Sequence, residues 1–219
     1  MAGRRRSEGS AIHADTLANV TRQIIDAGNK TWMQMVAGIA SRQGPANRLR
    51  FALSTASIKV SMSRDDKLRQ IATAFGFDPD EEIKIGGKYT PVLIDGNVAY
   101  IAGQIPRVGD TVRFVGVVGE SISLEAARQA AAISTLRALA LIKRRCGTLD
   151  AIQAVPRISV FVRSAPDFTM QSEVADGASD VLYSVLGDVG VHTRTSVGVM
   201  QLPKGASVEV DFIFAVRPS

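Results

Sequence analysis

The strongest constraint in the sequence is the alternation of residues 208–216 near the end of the chain. Every second residue is apolar, and the residues on this side are Val208, Val210, Phe212, Phe214 and Val216. Because successive side chains of a β-strand point to opposite faces of a sheet, this pattern predicts a strand with one face in a hydrophobic core. Glu209 and Asp211 point to the other face. We expect that face to meet solvent, a cation, a ligand or a partner subunit, because carboxylates are costly to bury unpaired.

The chain from residue 63 onward predicts three helices and six strands. Ser63 and Ser123 are suitable N-caps, and Gly76 and Gly147 are suitable stops, so the first two helices are predicted over 63–75 and 124–146. A third helix is predicted over 174–186. Asp95-Gly96 predicts the tight turn of a hairpin. The predicted strands cover residues 92–94, 98–102, 111–118, 157–163, 195–200 and 208–216. After the first helix the order is β-β-β-α-β-α-β-β, which predicts an α+β domain with two helices on one face of a sheet.

Cysteine and histidine are too rare for several classes of site. The single cysteine, Cys146, excludes an intrachain disulfide framework and a structural zinc site built on cysteines. The two histidines leave little for a histidine-rich metal site, and we expect no bound metal. No apolar run approaches the roughly 18 residues that a membrane-spanning helix needs, so we expect no membrane partner.

Positive charge is concentrated at the start of the chain. The first 62 residues carry nine basic and three acidic side chains, whereas the remaining 157 carry 17 basic and 18 acidic ones. The later part therefore has no surplus of positive charge to attract phosphates, and nucleic acid is not expected as a partner.

Residues 1–61 are interpreted as a basic N-terminal extension, and residues 62–219 as one domain that begins with a helix. The extension has three interpretations: a targeting peptide, a basic arm for a nucleic acid or a lipid, or a segment outside the native protein. We favour the third, in which translation starts at Met62, because a well-capped helix begins at once after that residue. If the segment exists in the cell, we expect it to be disordered or loosely helical.

Familiar catalytic sequence motifs are absent. The chain has no phosphate-binding loop, no HExxH, no GxSxG and no GxGxxG after a strand. Cys146 stands beside basic residues at a helix C-terminus, and we interpret it as an unreactive thiol. His192 is interpreted as a turn residue.

Arg194 and Glu209 are the more informative charged pair. Arg194 opens a predicted strand, and Glu209 is expected in the neighbouring strand. An arginine can bind a carboxylate with two parallel hydrogen bonds, and a glutamate facing the same cavity could hold or activate a water. The residues alone also allow a cross-strand salt bridge between the two, and on the residues alone we favour that alternative.

Four segments of the sequence together follow the motif pattern of a known protein family. Arg194 is followed by Val197, by Leu202-Pro203 and by the strand Val208-Glu209-Val210. The other segments are Gly87-Lys88-Tyr89, Ala102-Gly103-Gln104-Ile105-Pro106, and Val160-Phe161-Val162 with the later Asp167-Phe168. In order and spacing they resemble the motifs of the Rid (YjgF-like) family, whose members are also called endoribonuclease L-PSP or chorismate mutase-like proteins. The resemblance runs from about residue 86 to residue 216.

The resemblance implies a chorismate mutase-like fold and a cytoplasmic homotrimer with three ligand clefts between subunits. Catalytic members hydrolyse reactive 2-imino acids, or their enamine tautomers, to 2-keto acids and ammonia, which limits metabolite damage and needs no cofactor. Arg194 matches the arginine that binds the substrate carboxylate, and Glu209 matches the glutamate that helps to position the attacking water. The backbone carbonyl of Ser196 is expected to contact that water. The substrate-binding residues are expected to include Tyr89, Ala102 and Gly103.

Some positions depart from the family pattern. Ala102 stands where many members have a serine, Gly198 replaces a frequent glutamate, and the stretch from Asp167 to Arg194 is longer than in a typical deaminase. Three functions therefore stay open: an imine deaminase, which we favour; a trimeric module that binds a small carboxylate metabolite without turnover; and an endoribonuclease, which the balanced charge of residues 63–219 disfavours.

Overall fold

A computed structural model describes residues 62–218, so the predictions for residues 1–61 lie outside the described residues. Residues 62–219 form one compact unit. The helices are α1 (Arg64–Ala74), α2 (Leu124–Cys146) and α3 (Gln171–Leu186). The strands are β1 (Val92–Asp95), β2 (Val98–Gln104), β3 (Arg107–Val108), β4 (Thr111–Val112), β5 (Ile152–Arg163), β6 (Thr193–Val199) and β7 (Val208–Val216). Within residues 62–218, no helix combines the length and the apolar character needed to cross a membrane.

The helix ends follow the caps that the sequence predicts. The Ser63 hydroxyl accepts a hydrogen bond from the backbone N–H of Asp66, and Ser123 does the same for Ala126. Gly147 ends α2 with a φ of 84°, a conformation that costs glycine nothing because it lacks a Cβ. The side chains that α2 and α3 bury are mostly alanine, leucine, isoleucine and valine, which lets the two helices pack closely together on the sheet.

Five strands form one sheet in the order β1-β2-β7-β5-β6. All neighbours in it are antiparallel except β5 and β6, which are parallel. The five alternate apolar side chains of β7 are buried, whereas the residues between them are half-buried, so one face of the sheet meets the helices and the other is open. This arrangement confirms the predicted α+β class with helices on one face.

The predicted third strand, residues 111–118, is wrong. Only Thr111–Val112 is extended there, and it pairs with β3 in a separate two-stranded sheet. Phe114 (φ 54°) and Gly116 (φ 147°) take positive φ values, which end the extended backbone. The predicted meander therefore contains two strands of the main sheet and then an irregular segment.

Several other predicted boundaries also shift, and two of these shifts have a clear structural cause. Asp95 pairs with Val98, so the turn of the hairpin is Gly96-Asn97, one residue later than predicted. Strand β5 begins at Ile152, earlier than the predicted start at Arg157. The sequence pattern missed this part of the strand because the register of the β5–β7 pairing shifts between Ile152 and Arg157, which interrupts the alternation of apolar residues.

Candidate functional site

Glu209 lies directly over Gly103 on the open face of the sheet. It stands on β7 between two buried valines that face the helices, so its own side chain points the other way. A Cβ added to Gly103 would lie 2.8 Å from the Glu209 Cδ, which is closer than real Cβ atoms come, and a tight 3.1 Å from its Cγ. A register shift between Ile101 and Gln104 accompanies this close approach of β2 to the carboxylate. Glycine at position 103 therefore makes the space that Glu209 occupies.

The environment of Glu209 makes its carboxylate a stronger base than an exposed glutamate. Burial raises the pKa of this carboxyl, and the negative charge of Asp211, two residues further along the same face, raises it again. Within residues 62–218, no lysine or arginine forms an ion pair with Glu209. A carboxylate with a raised pKa binds a proton more readily and can exchange it with a bound water, which is the chemistry of a general acid and base.

Arg194 lies on the helix-facing side of the edge strand β6. It pairs in parallel register with Ile158, which is fully buried under the helices. Helix α3 covers its guanidinium group. Arg194 Nη1 lies 2.8 Å from Asp176 Oδ1 and donates to the Ser179 hydroxyl at 2.8 Å. Its Nη2 donates to the backbone carbonyl and to the hydroxyl of Ser172, both at 3.1 Å.

These contacts occupy the two outer nitrogens of Arg194. Each Nη nitrogen carries two hydrogens and contacts two acceptors of its own chain. A substrate carboxylate can therefore gain two parallel hydrogen bonds only if Asp176 or Ser172 gives way. Sequence reasoning missed Ser172, Asp176 and Ser179, although their spacing of four and three residues places them on one side of a helix.

His192 takes part in the same network, which its interpretation as a turn residue did not anticipate. Its Nδ1 lies 2.7 Å from the Gly190 carbonyl, and its Nε2 lies 2.9 Å from the Ser179 hydroxyl. Because a carbonyl only accepts, Nδ1 carries the proton when the ring is neutral, and Nε2 accepts from Ser179. The Ser179 oxygen in turn accepts from Arg194. His192 thus orients the hydroxyl that helps to hold the arginine.

The predicted relation between Arg194 and Glu209 is wrong. The two residues are not on neighbouring strands, because β5 lies between β6 and β7. They also lie on opposite faces of the sheet, and Arg194 is paired with Asp176 instead. A cross-strand salt bridge and a shared cavity within one protomer are both excluded by this topology. Ser196 lies two residues beyond Arg194 on the same face of β6 and is half-buried.

The remaining predicted site residues have separate positions. Ala102 is half-buried beside Gly103, and its N–H donates to the Pro91 carbonyl at 3.0 Å. Tyr89 precedes β1 and is 52% exposed. Cys146 is half-buried, and burial raises the pKa of its thiol against the weaker opposing effect of Arg145, as suits an unreactive thiol. Within residues 62–218, no cluster of three potential metal ligands is present.

Comparison with known proteins gives consistent matches. A sequence model of the family described as "YjgF/chorismate mutase-like, putative endoribonuclease" matches residues 69–216. Protein TCP17 of Trypanosoma cruzi is 40% identical over 124 residues, which are 56% of this chain and 78% of that protein.

Two solved structures are also similar. A protein of unknown function from Agrobacterium tumefaciens is 33% identical, covers 70% of this chain and 95% of its own, and has a TM-score of 0.63. A "putative endoribonuclease" from Shewanella oneidensis is 23% identical, covers 71% and 100%, and has a TM-score of 0.65. At that identity, the second similarity speaks for the fold alone.

Proposed function

The chain belongs to the YjgF/chorismate mutase-like (Rid) family, and from this premise we propose that it hydrolyses reactive 2-imino acids or their enamine tautomers to 2-keto acids and ammonia. The observation that carries the proposal is the Glu209 carboxyl, fixed over Gly103 on the open sheet face with a raised pKa. Imines hydrolyse readily, so a positioned water and one group that exchanges a proton with it are sufficient catalysis.

The proposed site needs more than one copy of the chain. Arg194 and Glu209 face opposite sides of one sheet, so a single substrate can meet both only if they come from different protomers. The open face carries large exposed apolar side chains, which assembly would bury: Leu93, Tyr100 and Val197 are 57%, 45% and 41% exposed. A homotrimer with clefts between subunits accounts for both observations.

In such a cleft each residue has a distinct role. Arg194 binds the substrate carboxylate, with Asp176 moving aside. Glu209 and the Ser196 carbonyl orient a water toward the imine carbon, and Glu209 accepts a proton as the water oxygen forms its bond to carbon. Glu209 returns this proton to the nitrogen, which gives a carbinolamine, and then transfers the proton of the carbinolamine hydroxyl to the nitrogen as well, so that ammonia leaves and the 2-keto acid remains. The atoms of imine and water are all accounted for, and no cofactor takes part.

One observation favours the alternative of binding without turnover. Both outer nitrogens of Arg194 are already engaged by Asp176, Ser172 and Ser179. A protein in which this arginine stays engaged would hold a carboxylate metabolite by fewer hydrogen bonds and would not orient it for hydrolysis.

The first experiment is an imine-trapping assay with the full chain. An amino-acid oxidase generates 2-imino acids in the presence of semicarbazide, which traps them, and hydrolysis lowers the trapped amount. We expect the protein to suppress trapping, Arg194→Ala and Glu209→Gln to fail, and Arg113→Ala to match the parent because Arg113 is exposed and outside the site. If no form suppresses trapping while a carboxylate raises the melting temperature of the parent more than that of Arg194→Ala, the binding module replaces the enzyme.

A mixing experiment tests the shared cleft. The inactive variants Arg194→Ala and Glu209→Gln are unfolded, mixed in equal amounts and refolded together. Random assembly gives intact clefts, with Arg194 from one copy and Glu209 from another, at about one cleft in four of a symmetric ring. We therefore expect about a quarter of the parent activity. No recovery, from variants shown to have exchanged subunits, would place both residues in one protomer's site and contradict the proposal.

A further inference from the structure

Arg137 is the only charged side chain that residues 62–218 bury almost completely, with 6% of it exposed. It lies within α2. Its Nη1 donates to the backbone carbonyl of Arg107 at 3.1 Å, but its Nε is enclosed and has no acceptor. A buried guanidinium normally has its hydrogens satisfied, because an unpaired buried charge is among the costliest groups in a protein.

Arg137 has no counter-ion among the described residues. Other cations with little exposure do have one: Lys143 lies 2.6 Å from Asp80, and Arg194 lies 2.8 Å from Asp176. Burial and, to a smaller extent, the positive charge of Arg107 together lower the pKa of Arg137 to about 10, while the Tyr89 phenol acts in the opposite sense. The described residues thus place a second cation next to a buried one. Arg137 has no carboxylate partner among them, and the Asp110 carboxylate, which is paired with Lys84, acts on Arg107 only beyond ion-pair distance.

The groups around this pair are hydrogen-bond donors that lack partners. Arg107 follows the segment that contains Gly103, is half-buried, and also has an enclosed Nε without an acceptor. Ser134 lies one turn before Arg137 on α2, and its buried hydroxyl has no partner. The planar guanidinium fork matches the oxygens of a carboxylate or a phosphate, so paired arginines are a common means of binding either group.

We propose that Arg107 and Arg137 form a binding site for the oxyanion of a small molecule, a carboxylate or a phosphate group. The site uses α2 and the first residue of β3, and it contains neither Arg194 nor Glu209. It therefore shares neither of the two residues that carry the proposed hydrolysis. Tyr89, which the sequence assigned to the substrate cleft, acts electrostatically on Arg137 and borders this second site.

Anion titration of the full chain tests the proposal. Malonate and inorganic phosphate are titrated calorimetrically in a buffer free of multivalent anions, with potassium chloride as the ionic-strength control. Because Arg194 is itself proposed to bind a carboxylate, the titrations are made in the Arg194→Ala background. There we expect saturable binding of one anion per chain and at least a tenfold loss of affinity on adding Arg107→Met or Arg137→Met. Arg113→Met, which removes an exposed arginine nearby in the sequence, should bind like the parent. Preference for malonate or for phosphate identifies the chemical group.

Other outcomes of the titration would contradict the proposed anion site. Absence of saturable binding, or equal binding by the parent and Arg107→Met, would overturn the proposal, and Arg107→Met serves this purpose even if Arg137→Met fails to fold. If Arg107→Met lowers the oligomeric mass and the parent binds neither anion, a carboxylate of a second copy fills the site instead. Anion binding that survives in Arg194→Ala separates this site from the hydrolytic one, whichever way the imine assay ends.

Discussion

Replacing Gly103 by alanine displaces Glu209 without touching it covalently. The new Cβ would lie 2.8 Å from the Glu209 Cδ, whereas ordinary van der Waals contact begins at 3.4 Å. The carboxyl carbon must therefore retreat by at least about 0.6 Å, and the oxygen nearer to Gly103 by more. The obstacle is the end of a flexible side chain and not backbone, so the sheet can stay as it is.

The expected effects on stability and activity differ widely. Moving one side chain off its preferred rotamer costs about 0.5–1.5 kcal/mol, and an alanine in place of a strand glycine returns a part of that. The melting temperature should therefore change by only a few degrees, about 2–4 °C per kcal/mol for a domain of this size. A misplacement of about 1 Å in a group that orients the nucleophile costs about 100-fold in rate. We expect kcat for imine hydrolysis to fall by about that factor.

The assay compares initial rates of imine hydrolysis with thermal melts of the same samples. The matched control is Gly198→Ala, whose Cβ would crowd Ser164 Oγ at 2.9 Å and Gln171 Nε2 at 3.2 Å but not Glu209. The double variant Gly103→Ala with Glu209→Gln should be no slower than Glu209→Gln alone. Full activity of Gly103→Ala, or a further loss in the double variant, would refute the inference that Gly103 acts by making room for Glu209.

Three other changes have outcomes that follow from the structure. The first change is Glu209→Gln, which resembles the protonated carboxyl. Because the folded-state pKa of Glu209 is raised, the parent loses stability as the pH rises through that pKa. The variant should therefore resist urea better than the parent at pH 7, and the difference should vanish below about pH 4. The second change, Asp176→Asn, removes the internal counter-ion that competes with a ligand for Arg194. A partly exposed ion pair is worth about 1 kcal/mol, so calorimetry should show malonate binding at Arg194 up to about fivefold tighter. Weaker binding would instead make Asp176 a positioning residue. The third change, Gly177→Ala, places a Cβ 2.7 Å from the carbonyl carbon of Arg128 on the facing helix. Urea unfolding should show that the free energy of unfolding falls by about 3 kcal/mol, the upper end of the cost of overpacking. An unchanged unfolding midpoint would show that the two helices can move apart at little cost in free energy.

Local rules predicted most of the fold. The Ser63 and Ser123 caps act within three residues of themselves, and the alternation of residues 208–216 reports burial of one face directly, so these elements required no knowledge of distant contacts. The segment 111–118 failed because its alternation is real but its backbone is not extended. The positive φ of Phe114 is held by neighbours such as Ser207, whose N–H donates to the Phe114 carbonyl, and that contact spans more than 90 residues.

The site posed a harder problem, because it depends on which strand lies between two others. Arg194 and Glu209 are close in sequence, and a hairpin of adjacent strands is the simplest way to connect them. Strand β5 separates them because β6 joins the sheet in parallel beside β5, while β7 returns antiparallel on the other side of β5. That insertion places the arginine under α3 and the glutamate on the open face. Under the proposed assembly, a cleft shared by two copies would bring together the two residues that this topology separates within one protomer.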